Sequence, residues 1–171
     1  MKKQTTCCFT GPRPHKLPLL ASPSSLRRDM LRQEIAAAVI GKIANDGCNT
    51  FLCGMAQGSD MLFAEIILEL KHIYGDCAKL VCAIPYEAQA ARWPAGAREQ
   101  YCGLLSQADE RIVLQKEYTD GCLLARNRFM TENSAHMIAV YDGRPGGGTG
   151  YTVNYAREQN LRITIINPKN F

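Results

Sequence analysis

The sequence predicts a single α/β domain: a doubly wound, mainly parallel sheet with helices on both faces, formed by residues 1–171 together. Three observations carry that prediction. Short apolar runs alternate with longer stretches whose apolar residues recur at helical spacing. The runs are apolar throughout rather than at every second position, as in strands covered on both faces. Several end in glycine-rich turns that lead into the next helix.

The elements follow in order. Thr5 to Thr10 (TTCCFT) reads as the first strand. From 25 to 45, Leu31, Ile35, Val39 and Ile43 lie along one helix face, with Ser24 or Ser25 as the cap and Asn45-Asp46-Gly47 as the stop. NTFLC (49–53) is the second strand, and a helix follows from Ser59 to about Ile73 with Leu62, Ile66, Leu70 and Ile73 on one side. KLVCAI (79–84) is the third strand, closed by Pro85. A weaker helix over 95–107, a short strand over 111–114 and a helix over 120–133 come next. The strand 136–140 leads into the loop YDGRPGGGTGYT (141–152), a helix from Tyr151 to about Gln159, and a last strand, 161–166. Right-handed crossovers between such units make a Rossmann-like sheet, in which ligands bind beyond the carboxyl ends of the strands.

Composition narrows the function classes. The chain has 46% hydrophobic and 21% charged residues and a formal charge of 20 − 16 = +4. That suits an anionic small ligand and points only weakly to nucleic acid. The longest aliphatic run, IAAAVI (35–40), is too short to span a bilayer, and the start has no apolar signal core. A cytoplasmic location with no membrane partner is therefore expected. The eight cysteines, at 7, 8, 48, 53, 77, 82, 102 and 122, include no C-x-x-C pair and have no histidine at ligand spacing. They read as buried small hydrophobes, and no metal is expected.

Chemistry concentrates at three strand ends. Thr10-Gly11-Pro12-Arg13 follows the first strand, Gly54-Met55-Ala56-Gln57-Gly58-Ser59-Asp60 the second, and the 141–152 loop the strand 136–140. Glycine admits a close approach to backbone N–H groups, and a helix N-terminus adds partial positive charge, so such loops suit phosphate or carboxylate. One loop alone reads as a sharp turn. Two in one sheet, with Arg13 after a third strand, suggest a binding crevice. Neither is a Walker A sequence or a GxGxxG dinucleotide fingerprint, which disfavours a plain kinase, ATPase or NAD dehydrogenase. Trp93 with Gln89 four residues earlier reads, if helical, as a base-stacking pair or as a core cap of the sheet. His15 and His72 read as exposed, and His136 as structural.

The motifs TGPRPHKL (10–17), CGMAQGSDMLFAE (53–65), PYEAQAARW (85–93) and YDGRPGGGTGYT (141–152), with ARNRFMTENS (125–134), resemble the SMF/DprA–LOG (SLOG) superfamily. That superfamily includes the cytokinin-activating phosphoribohydrolases and the DNA-processing protein DprA. Within it the chain resembles the YpsA-like group. The resemblance implies a nucleotide-derived ligand whose phosphate rests on Gly146, Gly147, Gly148 and Thr149, with a helix beginning near Thr149. It puts Gly54 and Gly58 in the same crevice and Asp60 and Glu65 near the sugar or bracing the loop. Arg126 falls where the phosphoribohydrolases carry a functional arginine, and Asn127 matches the RNR signature of DprA.

One departure separates binding from catalysis. The phosphoribohydrolases carry a glutamate three residues past the threonine of the loop, and this chain has Thr152 there. A hydroxyl neither stabilises an oxocarbenium-like centre nor activates water as a carboxylate does. The expectation is therefore a sensor or regulatory module that binds a phosphorylated small molecule and requires no cofactor. Candidate ligand-binding residues are Gly11, Arg13, Gly54, Gly58, Ser59, Asp60, Gln89, Trp93, Arg126, Asn127, Gly146, Gly147, Gly148, Thr149 and Thr152. The alternative is a hydrolase of nucleoside monophosphates working through Asp60, Glu65 or Arg126. Single-stranded nucleic-acid binding ranks below both, and a homodimer through helix 120–133 is a further expectation.

Overall fold

A computed structural model of the chain describes residues 1–21 and 25–171. Its centre is one sheet of six strands, all parallel: β1 (Thr6–Thr10), β2 (Thr50–Cys53), β3 (Lys79–Ile84), β4 (Glu110–Val113), β5 (His136–Val140) and β6 (Arg162–Ile166). The spatial order is β4-β3-β2-β1-β5-β6. The chain thus builds outwards from β1 to β4, then returns to lay β5 on the other side of β1. That reversal makes the β1/β5 boundary the topological switch point, where the loops leaving the two strands diverge and open a crevice.

Strand alternation sorts the core into two layers. Cys7, Phe9, Phe51 and Cys53 point to one face with α1 (Leu26–Asp46), α2 (Ser59–Tyr74) and α3 (Ala95–Gln107). Cys8, Leu52, Met137 and Ala139 point to the other, against α4 (Cys122–Glu132) and α5 (Gly147–Glu158). Phe63 of α2 stacks on Phe9 at 4.3 Å between ring centroids and meets Phe51 edge-on at 6.3 Å. Burying one such ring is worth about 2–3 kcal/mol, so this contact seats the start of α2 against the ends of β1 and β2.

Local signals account for the boundaries. Ser25 caps α1 by accepting a hydrogen bond from the Arg28 N–H at 3.1 Å; the other expected cap, Ser24, lies outside the described residues. Six of the eight cysteines are buried in the core as expected, while Cys77 and Cys102 are exposed. Burial pushes the thiols of Cys8 and Cys82 up to about 12, which keeps them protonated and apolar in behaviour. Two expectations need correction. The last helix starts at Gly147, not at Tyr151 or Thr149, so the glycines form its first turn rather than a loop before it. Residues 86–93 form a series of turns, not a helix, so Gln89 and Trp93 do not share a helix face. Among the described residues no helix is long and apolar enough to cross a membrane.

Candidate functional site

The crevice at the switch point holds two adjoining cavities, of about 390 Å³ and about 690 Å³. The narrow one lies between the loop after β1, the start of α2, α4 and the first turn of α5, and is lined by Gly11, Arg13, Ala56, Asp60, Arg126, Asn127, Gly148 and Thr149 among others. The wide one lies between the same β1 loop, the loop after β5 and the end of β6, and is lined by Arg27, Tyr141, Asp142, Arg144, Gly146, Gly147 and Lys169 among others. Pro12, His15, Lys16 and Thr149 belong to both walls.

Arg126 is the floor of the narrow cavity. It is 4% exposed, donates from Nη1 to the Gly54 carbonyl and from Nε to Asn127 Oδ1 at 2.8 Å. A Cβ on Gly54 would overlap the guanidinium, so this position excludes every side chain. Gly54 lines neither cavity; it makes room for Arg126, which lines the narrow one. Asp60, 7% exposed, accepts a hydrogen bond from the Ala56 N–H at 3.1 Å on Oδ2. Burial raises its carboxyl above the usual carboxylate range, while Arg126, the Ala56 N–H and Arg13 pull it back. Burial likewise lowers the Arg126 pKa, with Asp60 opposing. Each charge thus compensates the other away from water.

The first turn of α5 forms the ridge between the cavities. Gly146 and Gly147 have φ of +133° and +66°, which side-chain-bearing residues rarely adopt. Among the described residues no side chain caps this helix start, and its first N–H groups carry the positive end of the helix dipole. Lys16 Nζ stands 2.7 Å from the point a Gly147 Cβ would occupy. Among the described residues Lys16 has no carboxylate partner. Arg144 and Lys169, by contrast, both reach Asp142, at 3.0 and 3.4 Å. The Arg144 N–H and these two cations hold the Asp142 carboxyl below its usual range.

The position expected to decide catalysis is spoken for. Thr152 is 1% exposed; its Oγ1 donates to the Gly148 carbonyl at 2.7 Å and accepts from Asn127 Nδ2 at 2.8 Å. Asn127 in turn accepts from Arg126. This chain of hydrogen bonds ties the floor of the narrow cavity to the first turn of α5, and leaves Thr152 as a brace.

The expected site residues divide accordingly. Gly11, Arg13, Asp60, Arg126, Asn127, Gly146, Gly147, Gly148 and Thr149 come together around the crevice. Ser59 and Gly58 stand behind it: Ser59 Oγ donates to the Pro12 carbonyl at 2.9 Å, Gly11 packs on Ser59, and Gly58 packs on Pro14. Glu65 lies elsewhere, on the outer side of α2, ion-paired to Arg28 at 3.6 Å and accepting from Gln100 Nε2 at 2.5 Å. Helical direction separates it from Asp60: five positions along the helix, it faces α1 and α3 rather than the switch point. Gln89 and Trp93 border a different, apolar hollow beyond β3 and β4. Gln89 Nε2 donates to the Met55 carbonyl at 2.7 Å, and Trp93 packs edge-on against Tyr101 at 5.2 Å, the core-capping role. Sequence reading did not single out His15, Lys16, Arg27, Arg144 or Lys169 as site residues. The first two lie inside the TGPRPHKL motif and Arg144 inside the glycine loop, but only the fold brings Arg27 and Lys169 to the same crevice.

A parallel sheet with a cation-rich crevice at its switch point defines a Rossmann-like α/β protein. Over residues 7–171 the chain matches the YpsA family profile, described as the YspA SLOG family, and it belongs to that family. It is similar to the UPF0398 protein of Bacillus pumilus (strain SAFR-032), 28% identical over 129 residues, which are 72% of this chain and 69% of the relative. A UPF0398 protein of Bacillus thuringiensis (strain Al Hakam) is 30% identical over 131 residues, 75% of this chain and 68% of that one. The uncharacterized SPbeta prophage-derived protein YoqJ of Bacillus subtilis (strain 168) is 27% identical over 156 residues, 83% and 87% of the two chains.

Proposed function

We propose that the protein binds a phosphorylated, nucleotide-derived small molecule in this crevice and acts as a sensor or regulatory module. The observation that carries the reading is the unspent positive charge at the α5 ridge. Lys16 lies over Gly147 with no carboxylate partner among the described residues, beside a helix start that has no side-chain cap. Backbone N–H groups at a helix N-terminus with a lysine above them suit a phosphate. The brace made by Thr152 supports binding over hydrolysis, since the side chain is buried and both its hydrogen-bonding roles are used. Thermal unfolding with a panel of nucleoside phosphates tests the proposal. A rise in Tm with at least one of them, lost in Lys16→Ala, is expected; no shift with any at millimolar concentration overturns it.

One observation favours a second reading, a hydrolase. Asp60 is a buried carboxyl on the wall of the narrow cavity, its pKa raised by burial, the direction a general acid requires. Release of free base from nucleoside monophosphates, abolished in Asp60→Asn with binding retained, would establish that activity. Its absence from the wild-type protein leaves binding alone.

A further inference from the structure

The two cavities differ in which cations they hold, and that difference bears on the number of phosphates in the ligand. Arg13 and Arg126 reach only the narrow cavity. Arg27, Arg144 and Lys169 reach only the wide one. Lys16 and His15 stand on the wall between. The α5 ridge is divided in the same way: Gly147 faces the wide cavity, Gly148 the narrow one, and Thr149 both. A monophosphate resting on that ridge would meet one set of cations and leave the other set unused.

The floor of the narrow cavity gives an observation independent of the helix end. The Arg126 side chain is more than nine-tenths buried, yet its Nη2 makes no hydrogen bond to another described residue. A buried guanidinium with unspent donors on a cavity wall calls for an anionic or carbonyl acceptor there. In the wide cavity Asp142 neutralises part of the charge of Arg144 and Lys169, but Arg27 has no carboxylate partner among the described residues. Each side of the ridge therefore keeps an arginine with no carboxylate partner among the described residues, Arg13 on the narrow side and Arg27 on the wide one. Beyond them the walls differ in chemistry. The wide cavity offers Leu17, Val140, Tyr141 and Pro168, apolar surface suited to a flat ring. The narrow one offers Asp60 and Asn127, polar groups suited to hydroxyls.

We infer that the crevice takes a ligand with two linked phosphates that straddles the first turn of α5: a nucleoside diphosphate or an ester of one, its base side in the wide cavity and its distal phosphate or ester group in the narrow cavity. The inference rests on the proposed nucleotide binding and narrows it to the diphosphate class. The cations occupy both sides of the ridge because the charge they meet does so.

Isothermal titration of the protein with AMP, ADP, GMP, GDP, inorganic phosphate and pyrophosphate tests it, with Arg13→Ala and Arg27→Ala as variants. Both arginines are exposed at the rim, so both variants should fold. Expected are about tenfold or tighter binding of at least one diphosphate over its monophosphate, equivalent to about 1.4 kcal/mol, and stronger competition by pyrophosphate than by phosphate. Both variants should weaken the diphosphate several-fold, and only one of them the monophosphate. Equal affinity for mono- and diphosphate, or loss of monophosphate binding in both variants alike, overturns the two-phosphate inference and leaves nucleotide binding standing. Failure of every probe to bind overturns both.

Discussion

The two ends of the central strands carry buried charge in opposite ways. At the amino ends, Lys42 donates to Asp46 at 2.9 Å, and His136 and Arg162 approach the same carboxylate at 3.6 Å each. At the carboxyl ends, Arg126 and Asp60 offset one another, but their remaining polar atoms, with Lys16 and Arg13, face a crevice. The amino-end cluster gathers around one carboxylate, with His136 Nδ1 left without a hydrogen bond among the described residues; the carboxyl-end cluster faces a cavity. In a parallel sheet this asymmetry has a cause. Helix N-termini gather at the carboxyl edge and add positive charge there, at α5 without a side-chain cap among the described residues, whereas helix C-termini gather at the amino edge and suit cations held in place.

That contrast can be broken from either end. The largest effect is expected for Gly54→Ala, which drives a methyl group into the Arg126 guanidinium. Urea unfolding should show a loss of about 3 kcal/mol, and nucleotide binding should disappear, because the displaced arginine leaves Asp60 without its counter-charge. Thr152→Glu comes next. Placing the hydrolase glutamate in a site that is 1% exposed and already bonded to Asn127 and Gly148 should cost about 2–3 kcal/mol and create no base-releasing activity. Release of free base by this variant would show that the missing carboxylate alone separates the protein from a hydrolase.

At the amino end, Lys42→Met should cost only about 1 kcal/mol, since Asp46 is partly open to water and keeps Arg162 nearby, and it should leave ligand affinity unchanged. A change in affinity would mean that the two ends are coupled through β1 and β5. The smallest effect concerns pH. Burial, chiefly, and Lys42 depress the His136 pKa below its ordinary value, with Asp46 opposing. The unfolded chain then binds the proton more readily than the folded one. Stability is full above the unfolded histidine value of about 6.5 and declines as pH falls through it. A Tm series between pH 8 and pH 5 should show that decline, reduced in His136→Asn.

How much of this was legible in the sequence depends on distance along the chain. The strands 79–84 and 136–140 and the helix 95–107 coincide with the expected bounds, because apolar periodicity and Gly/Pro punctuation are local signals. Ser59, Gly58 and Gly54 could be read as crevice residues from their loop, but whether they touch a ligand or build the wall behind it depends on Pro12, Pro14 and Arg126, which come from other loops. Glu65 looked equivalent to Asp60, and five residues of helix turned it to a different face. Gln89 and Trp93 looked paired because four positions align on a helix, and the turns at 86–93 place them elsewhere.

The sequence by itself determined the α/β class, the parallel sheet, the glycine run after β5 and the absence of glutamate at 152, since each depends on residue type and short-range spacing. Only the tertiary structure decided that the strand order reverses between β1 and β5, that Arg126 lies beneath Gly54, that the glycines after β5 form the first turn of α5, and that Lys16, Arg27 and Lys169 converge from three separate segments on one cavity. Those facts depend on which loops the sheet brings side by side, and a linear pattern of hydrophobicity contains no measure of that distance.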